Sequence, residues 1–220
     1  MTAKEAERLW EELRQRDPEA KRAWIERLAR DGSPESIELL LAALEQESWF
    51  LRDSAMRALA SLGEEVVESL IEYLQSGLWY TRAAAAQALG RIGLPIAAEP
   101  LAALLRDANR TVRDAAREAL LLLARQELAA HAVATAFASL PERAQRFALD
   151  GLAERDPEVA EAIARLMADP TRRAAAESVA EGASLPRAVN DGSEDLDWEA
   201  VVGLDAGLPK SPSKEHGPRR

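Results

Sequence analysis

The sequence predicts an all-α protein, built as a solenoid of about six helical hairpins. Ala, Leu, Glu and Arg, which are all good helix formers, dominate the composition. A pattern of Ala and Leu at helical spacing recurs in residues 49–63, 79–93 and 110–124, at offsets of 30 and 31 residues. Aromatic residues make up only 5% of the chain, and Gly and Pro number 11 each, which argues against a strand-rich fold.

The three recurring segments are predicted to be the second helices of consecutive hairpins, because each carries apolar residues on one helical face. Leu-rich stretches precede them and are predicted as the first helices of the hairpins. These stretches are residues 34–44, 64–74 and 96–105. The repeating unit is therefore two short helices in about 30 residues.

Weaker copies of the unit are predicted on both sides of the central three. The predicted helix pairs are residues 3–15 with 17–32, 128–140 with 141–155, and 157–168 with 171–183. Six hairpins of about 31 residues fill this span without a long structureless loop. We therefore predict a solenoid domain over residues 1–183.

Capping residues support the predicted helix boundaries. Four helix starts have an Asp or Ser before a proline, which places a capping side chain ahead of the first turn. These residues are Asp17, Ser33, Asp156 and Asp169. Gly32, Gly63 and Gly93 stand at predicted helix ends, where a positive φ is convenient. Pro100 falls inside a predicted helix, so that helix either begins near Glu99 or is kinked there.

One motif underlies the three central segments: Val/Leu-Arg-x-x-Ala-x-x-Ala-Leu-Gly-x-Ile-Gly, followed by a Leu-rich helix. It is carried best by Arg82, Ala85, Ala88, Leu89, Gly90, Ile92 and Gly93. These segments resemble HEAT-like repeats of the phycobilisome-lyase type, in the armadillo-like helical superfamily. The resemblance implies a right-handed α-α superhelix. It is specific for architecture and not for activity, because the motif residues are packing residues.

Arg52, Arg82 and Arg113 occupy the same position in the three segments. We predict a structural role for this arginine, which would tie each second helix to the loop or the carbonyl groups of its neighbour. A role in binding a ligand is the alternative.

In proteins of this family the second helices line the concave face, so the resemblance implies which side chains are exposed there. Two aromatic pairs stand on adjacent repeats, Trp49-Phe50 and Trp79-Tyr80. They form either a protein-binding patch, because Trp and Tyr are enriched at interface hot spots, or staples that hold each helix start on the preceding turn.

Further residues are predicted to be exposed on the same face. They are Asp53, Ser54, Arg57, Ser61, Ala83, Ala84, Gln87, Arg91, Arg110, Thr111, Asp114, Ala115, Glu118 and Leu122. The partner-binding set predicted on the solenoid comprises the two aromatic pairs with Asp53, Arg57, Gln87 and Arg91. Because the patch spans two repeats, it suits a peptide or a helix better than a large flat partner.

The composition changes at Ser184, and residues 184–220 are predicted to be a mostly disordered tail rich in Gly, Pro, Ser and charges. Within it, residues 194–204 form a short acidic-hydrophobic motif around Trp198. This motif is predicted either to fold on a partner protein or to pack on the chain's own solenoid; a solvated tail with an incidental Trp is the third alternative.

The residues give no constellation for catalysis, so we predict a protein that is not an enzyme and has no catalytic, cofactor-binding or metal-binding site. The chain has no Cys and only two His. His131 lies in a predicted helix among Ala and Val, where a packed or edge histidine is expected. The metal ligands of the di-iron hydroxylases that are built of HEAT-like repeats are missing.

The predicted function is a non-catalytic scaffold or adaptor that binds another protein or peptide on the concave face. Relatives implied by the resemblance offer two alternatives, an accessory or chromophore (phycobilin) lyase-like subunit and a nucleic-acid-binding protein. The net charge of −10 makes nucleic acid an unlikely partner, unless Arg57, Arg82, Arg91, Arg110 and Arg113 form a local basic stripe.

The chain lacks a run of about 18 apolar residues, and its charged first residues lack the apolar core of a signal peptide. We therefore expect a cytoplasmic protein that does not span a membrane. The residues leave the oligomeric state open.

Overall fold

The computed structural model describes residues 17–168, all of which belong to the first of two units of the chain, Met1–Glu177. Within this range every regular element is a helix. The α-helices are α1 (Pro18–Asp31), α2 (Pro34–Ala43), α3 (Trp49–Leu62), α4 (Val67–Tyr73), α5 (Trp79–Ile92), α6 (Ala98–Ala103), α7 (Arg110–Ala124), α8 (Glu127–Ala138), α9 (Glu142–Ala153) and α10 (Pro157–Ala168). Short 3-10 helices cover Gly63–Val66, Pro95–Ala97 and Leu104–Arg106.

The helices form two layers. The second helices of the hairpins, α1, α3, α5, α7 and α9, each pack on the next one in the series. In the other layer, α6 packs on α8 and α8 packs on α10, and the first helices α2, α4, α6 and α8 also contact the second helix that follows each of them. This arrangement confirms the predicted all-α solenoid.

The predicted helix boundaries in residues 17–168 agree with the structure to within two residues when the adjoining 3-10 turns are included. The predicted helices 3–15 and 171–183, the Asp169-Pro170 cap and the tail 184–220 lie outside the described residues. The domain boundary at residue 183 therefore stays a prediction.

A continuous apolar core lies between the two layers. Leu59, Leu89 and Leu120, which recur at the repeat offset, are fully buried in α3, α5 and α7. Leu40, Leu70 and Leu101 meet them from the first helices and are equally buried. Each hairpin thus buries its apolar faces against its own partner helix and against the neighbouring hairpins, which is why a single hairpin would not be stable alone.

The predicted caps within the described range are confirmed. Asp17, Ser33 and Asp156 accept hydrogen bonds from backbone amides in the first turns of α1, α2 and α10, at 2.8, 3.2 and 3.2 Å. Gly32, Gly63 and Gly93 have φ values of 60°, 71° and 77°. These positive values explain why glycine ends three of the helices.

Pro100 follows the first of its two predicted alternatives. The chain makes a 3-10 turn at Pro95–Ala97 and α6 begins at Ala98, so Pro100 occupies the first turn of the helix. Backbone amides in a first turn have no partner within their helix. The proline therefore removes no helical hydrogen bond there.

The predicted structural role of the recurring arginine is confirmed by its hydrogen bonds. Arg52 and Arg113 each donate from Nη1 to the carbonyl oxygens of the residues five and six positions earlier, at 2.6–3.0 Å. Arg82 donates to the carbonyl oxygen six positions earlier at 2.7 Å. In the next repeat Gln145, which the sequence analysis missed, donates from Nε2 to two carbonyls of its preceding loop at 2.8 and 3.1 Å.

Arg82 also links its repeat to the next one through an ion pair with Asp107. Its Nε and Nη2 atoms donate to the two carboxylate oxygens at 2.7 and 3.0 Å, and both side chains are largely buried. The carboxylate in turn accepts a hydrogen bond from the backbone amide of Asn109, the residue that caps α7. This paired geometry fixes the entry of α7 relative to α5.

The backbones of α5 and α7 approach each other closely at Gly90. A Cβ atom added there would lie 2.5 Å from the Cα atom and 2.7 Å from the Cβ atom of Ala119 in α7. Only glycine fits at this distance, so the backbones of α5 and α7 are in contact through the two smallest residues.

We expect Gly90→Ala to destabilise the protein by about 1–3 kcal/mol, because its methyl group overlaps a backbone that has little room to move. Gly77→Ala is the matched control, since nothing lies within 4 Å of a Cβ atom there and its φ is not positive. Urea unfolding followed by circular dichroism measures both. Equal unfolding midpoints for the two variants would contradict the close-approach argument.

Asp156 is expected to make the folded protein less stable at acid pH. The Arg125 guanidinium donates to the Asp156 carboxylate at 2.9 and 3.2 Å. This contact is the largest cause that lowers the pKa of Asp156 from 3.8, and backbone hydrogen bonds from the start of α10 lower it further. A carboxyl group with a lowered pKa in the folded state stabilises the protein above its unfolded pKa. That contribution is lost as the pH falls through the lower, folded value.

Asp156→Asn should therefore be less stable than the original chain at pH 7, and the difference should shrink below about pH 4. Asn still caps the helix, so the variant removes the charge and retains the cap. Urea unfolding midpoints at pH 7 and pH 3 measure the difference. A difference of the same size at both pH values would show that the charge is not its source.

Candidate functional site

In each of the two aromatic pairs, one ring is exposed and the other is packed against the protein. Trp49 and Trp79 are exposed to 69% and 44%, whereas Phe50 and Tyr80 are half-buried. The rings within each pair meet edge to face, with centroids 6.1 Å apart in the first pair and 5.7 Å apart in the second. One aromatic ring per repeat therefore points outward, beside a second ring that packs on the preceding repeat.

Tyr80 is held by the repeat before it. Its hydroxyl group donates to the carbonyl oxygen of Glu45 at 3.3 Å, and the Arg52 guanidinium lies 4.4 Å from its ring centroid. The next residue, Thr81, is fully buried and donates to the carbonyl oxygen of Leu44 at 3.1 Å. These contacts are those of a staple, while Trp79 is left accessible.

The same arginine-aromatic contact recurs along the second-helix layer. The Arg22 guanidinium lies 5.8 Å from the Phe50 ring centroid, and the Arg117 guanidinium lies 4.6 Å from that of Phe147. In each case the arginine is on one second helix and the ring is on the following second helix. Cation–π contacts of this kind contribute about 0.5–1 kcal/mol each at partly exposed sites.

Three residues predicted to be exposed on this face are buried. Ala83 and Ala84 of α5 and Ala115 of α7 are each less than 10% exposed. Helix α5 is packed between α3 and α7, and its small side chains are covered by these neighbours on both sides. The prediction treated one helix face as open and did not include the neighbouring second helices.

A groove of about 630 Å³ lies between α1 and α3; we call it the α1–α3 groove. Its walls include Arg22, Ile25, Ala29, Trp49, Phe50 and Arg57. Asp53 also borders it, and the Asp53 carboxylate pairs with Arg57 at 2.7 Å. The structure therefore brings together four of the predicted partner-binding residues of the first aromatic repeat around one concave site.

A second groove of about 730 Å³ crosses α3, α5 and α7; we call it the α3–α7 groove. Gln87 and Arg91, both exposed, line it together with Glu118 and Leu122. Asp53 borders both grooves, so they adjoin on the same face. Trp79 and Tyr80 are not among the residues that line either groove.

The wall that α1 contributes was missed by the sequence analysis. Arg22, Glu26 and Arg30 border the α1–α3 groove, although only α3, α5 and α7 were considered for this face. Moving the predicted exposed positions one repeat upstream, by 31 residues, would have selected all three, because they correspond to Asp53, Arg57 and Ser61. Trp198, the remaining predicted contact, lies outside the described residues.

The postulated basic stripe has few available charges. Arg57 pairs with Asp53, and Arg110 lies 3.6 Å from Asp114. Arg82 and Arg113 are occupied by the structural hydrogen bonds described above. Arg91 is the remaining member, and it lines the α3–α7 groove. These contacts do not favour the binding of a phosphate backbone.

The described part of the chain contains no group of three or more His, Asp or Glu side chains placed to hold a metal ion. Nδ1 of His131 lies 2.9 Å from the carbonyl oxygen of Glu127, one turn earlier in α8, and the ring is only half-buried. This is the edge position that the sequence predicts. None of the helices in residues 17–168 is long and apolar enough to cross a membrane.

The stacked hairpins and their grooved second-helix face define a helical repeat protein. The family model for HEAT repeats matches residues 6–77 and again residues 51–121. The chain belongs to the HEAT-repeat family, as its motif predicted. A search of the curated proteins returned no significant match. The phycobilisome-lyase subtype stays a prediction.

The two aromatic positions should respond differently to truncation. We expect Tyr80→Ala to lower the free energy of unfolding by about 2 kcal/mol, because it removes the ring under Arg52 and a hydrogen bond between repeats. Trp49→Ala, at an exposed ring, should change it by less than about 0.5 kcal/mol. Chemical denaturation measures both, and a larger loss for Trp49→Ala would refute the division of roles.

Proposed function

We propose that the protein is a non-catalytic adaptor that binds another protein or a peptide on the second-helix face. The observation that carries this proposal is the outward position of Trp49 and Trp79 on adjacent repeats, with Trp49 in the wall of the α1–α3 groove. Indole rings bury a large area at low entropic cost, which makes them frequent hot spots of protein interfaces.

The surroundings of Trp49 support a binding role. The groove offers apolar surface from Ile25 and Ala29 next to charged groups at its edge, which is the composition of an interface core with a polar rim. Its volume lies within the range of sites that hold small ligands or several side chains of a peptide. HEAT repeats commonly mediate protein-protein interactions, which agrees with this use of the face.

Two other functions were predicted from the resemblance, a chromophore-lyase-like accessory subunit and a nucleic-acid-binding protein. No residue cluster described above favours the first of them. The second is opposed by the ion pair of Arg57 with Asp53 and by the structural hydrogen bonds of Arg82 and Arg113. The adaptor function is therefore the one that the geometry supports best.

We expect the double variant Trp49→Ala/Trp79→Ala to lose its partner in affinity purification from the source cells, with affinity reduced by about tenfold or more. Ile96→Ala/Leu128→Ala is the matched control. It removes two equally exposed apolar side chains, 61% and 83% exposed, from the first-helix layer. Equal partner recovery for the two double variants, both folded by circular dichroism, would refute the proposed face.

A further inference from the structure

We infer that the α1–α3 groove receives an acidic peptide segment that carries an apolar anchor side chain. The inference rests on the proposed function, because it names the chemistry of the partner for part of the same face. Its basis is the positive charge on the α1 wall of the groove and the position of Trp49 on the opposite wall.

The α1 wall carries charges at three successive turns. Arg22, Glu26 and Arg30 are four residues apart, so they lie along one side of the helix, and all three are exposed. Over eight residues the two arginines are separated by about 12 Å along the helix axis.

The two α1 arginines are available to a partner. Arg22 lies over the Phe50 ring, and Nε of Arg30 donates to the backbone carbonyl oxygen of Glu26 at 3.3 Å. Within residues 17–168 neither guanidinium forms an ion pair with a carboxylate. On the opposite wall the charges of Asp53 and Arg57 offset each other at 2.7 Å.

The groove is therefore positive in a chain that is strongly negative. Two arginines that form no ion pair with the described residues, and the carboxylate of Glu26, give a local charge of +1, while the whole chain carries −10. A segment with carboxylates gains from the two guanidiniums, whereas most of the remaining surface repels it. This contrast directs an acidic segment to the α1–α3 groove.

The floor of the groove is apolar, so it is complementary to an apolar side chain on the same peptide segment. Ile25 is buried beneath it, Ala29 is half-buried, and the exposed Trp49 ring stands on the other wall. An aliphatic or aromatic side chain placed between two carboxylates would cover the Trp49 ring and leave the charges facing Arg22 and Arg30.

The test is a selection of a phage-displayed random peptide library on the immobilised full-length chain. We expect enriched peptides to combine Asp or Glu with a large apolar residue. Their affinity, measured as synthetic peptides by fluorescence anisotropy, should fall about tenfold with Arg22→Glu/Arg30→Glu and weaken as salt rises. Arg22→Gln/Arg30→Gln should cause a smaller loss.

Arg27→Glu is the matched control, because Arg27 is exposed on the same helix and does not border the groove. It makes the same charge change as Arg22→Glu or Arg30→Glu alone, but on another side of α1, so it should leave peptide affinity within about twofold. Equal losses for Arg27→Glu and for each of the two single groove variants would mean that only the overall charge matters, which would overturn the inference.

The remaining outcomes separate this inference from the proposed function. The inference is overturned if the enriched peptides are neutral or basic. It is also overturned if they bind Arg22→Glu/Arg30→Glu with unchanged affinity but lose binding to Trp49→Ala. Both outcomes leave the proposed adaptor function intact. If no enriched peptide depends on Trp49 or the two arginines, both proposals fail. A single-stranded oligonucleotide that displaces the selected peptides from the arginines would also overturn the acidic-peptide assignment.

Discussion

Side-by-side packing of the second helices through small residues is the constraint on which the grooved face depends. Ala85 and Ala88 are fully buried in α5, and Gly90 leaves no room for a methyl group against Ala119 of α7. Larger side chains at these positions would move the helices apart and change the depth of the α3–α7 groove. Residues with no exposed surface thus determine the dimensions of the surface that we propose for binding.

The starts of α3 and α5 each place an exposed aromatic residue next to a packed one. Tyr80 and Thr81 hold α5 to the loop of the preceding hairpin, while Trp79 remains accessible. An outward indole that is joined to an anchored neighbour loses little conformational freedom on binding, which favours affinity. Of the two alternatives that the sequence offered for this pair, the staple is formed by Tyr80, and the proposed binding patch uses the exposed ring of Trp79.

The fold was predictable from the sequence because its determinants are local and repeat. The spacing of Leu59, Leu89 and Leu120, together with the capping residues, gave helix boundaries to within two residues. The site was less predictable. Exposure of Ala83 and Ala84 depends on neighbours on both sides, and which ring of an aromatic pair points outward depends on the preceding loop. Such contacts between repeats are absent from the pattern of any single repeat.

Gln145 shows what the recurring arginine position requires. In three repeats a guanidinium bonds the carbonyls of the preceding loop, and in the next repeat a neutral amide makes equivalent bonds. The position therefore needs a long donor and no charge. The family match ends at residue 121, before this repeat, although the helices continue to Ala168. Counting arginines along a chain of this kind will underestimate the number of hairpins it builds.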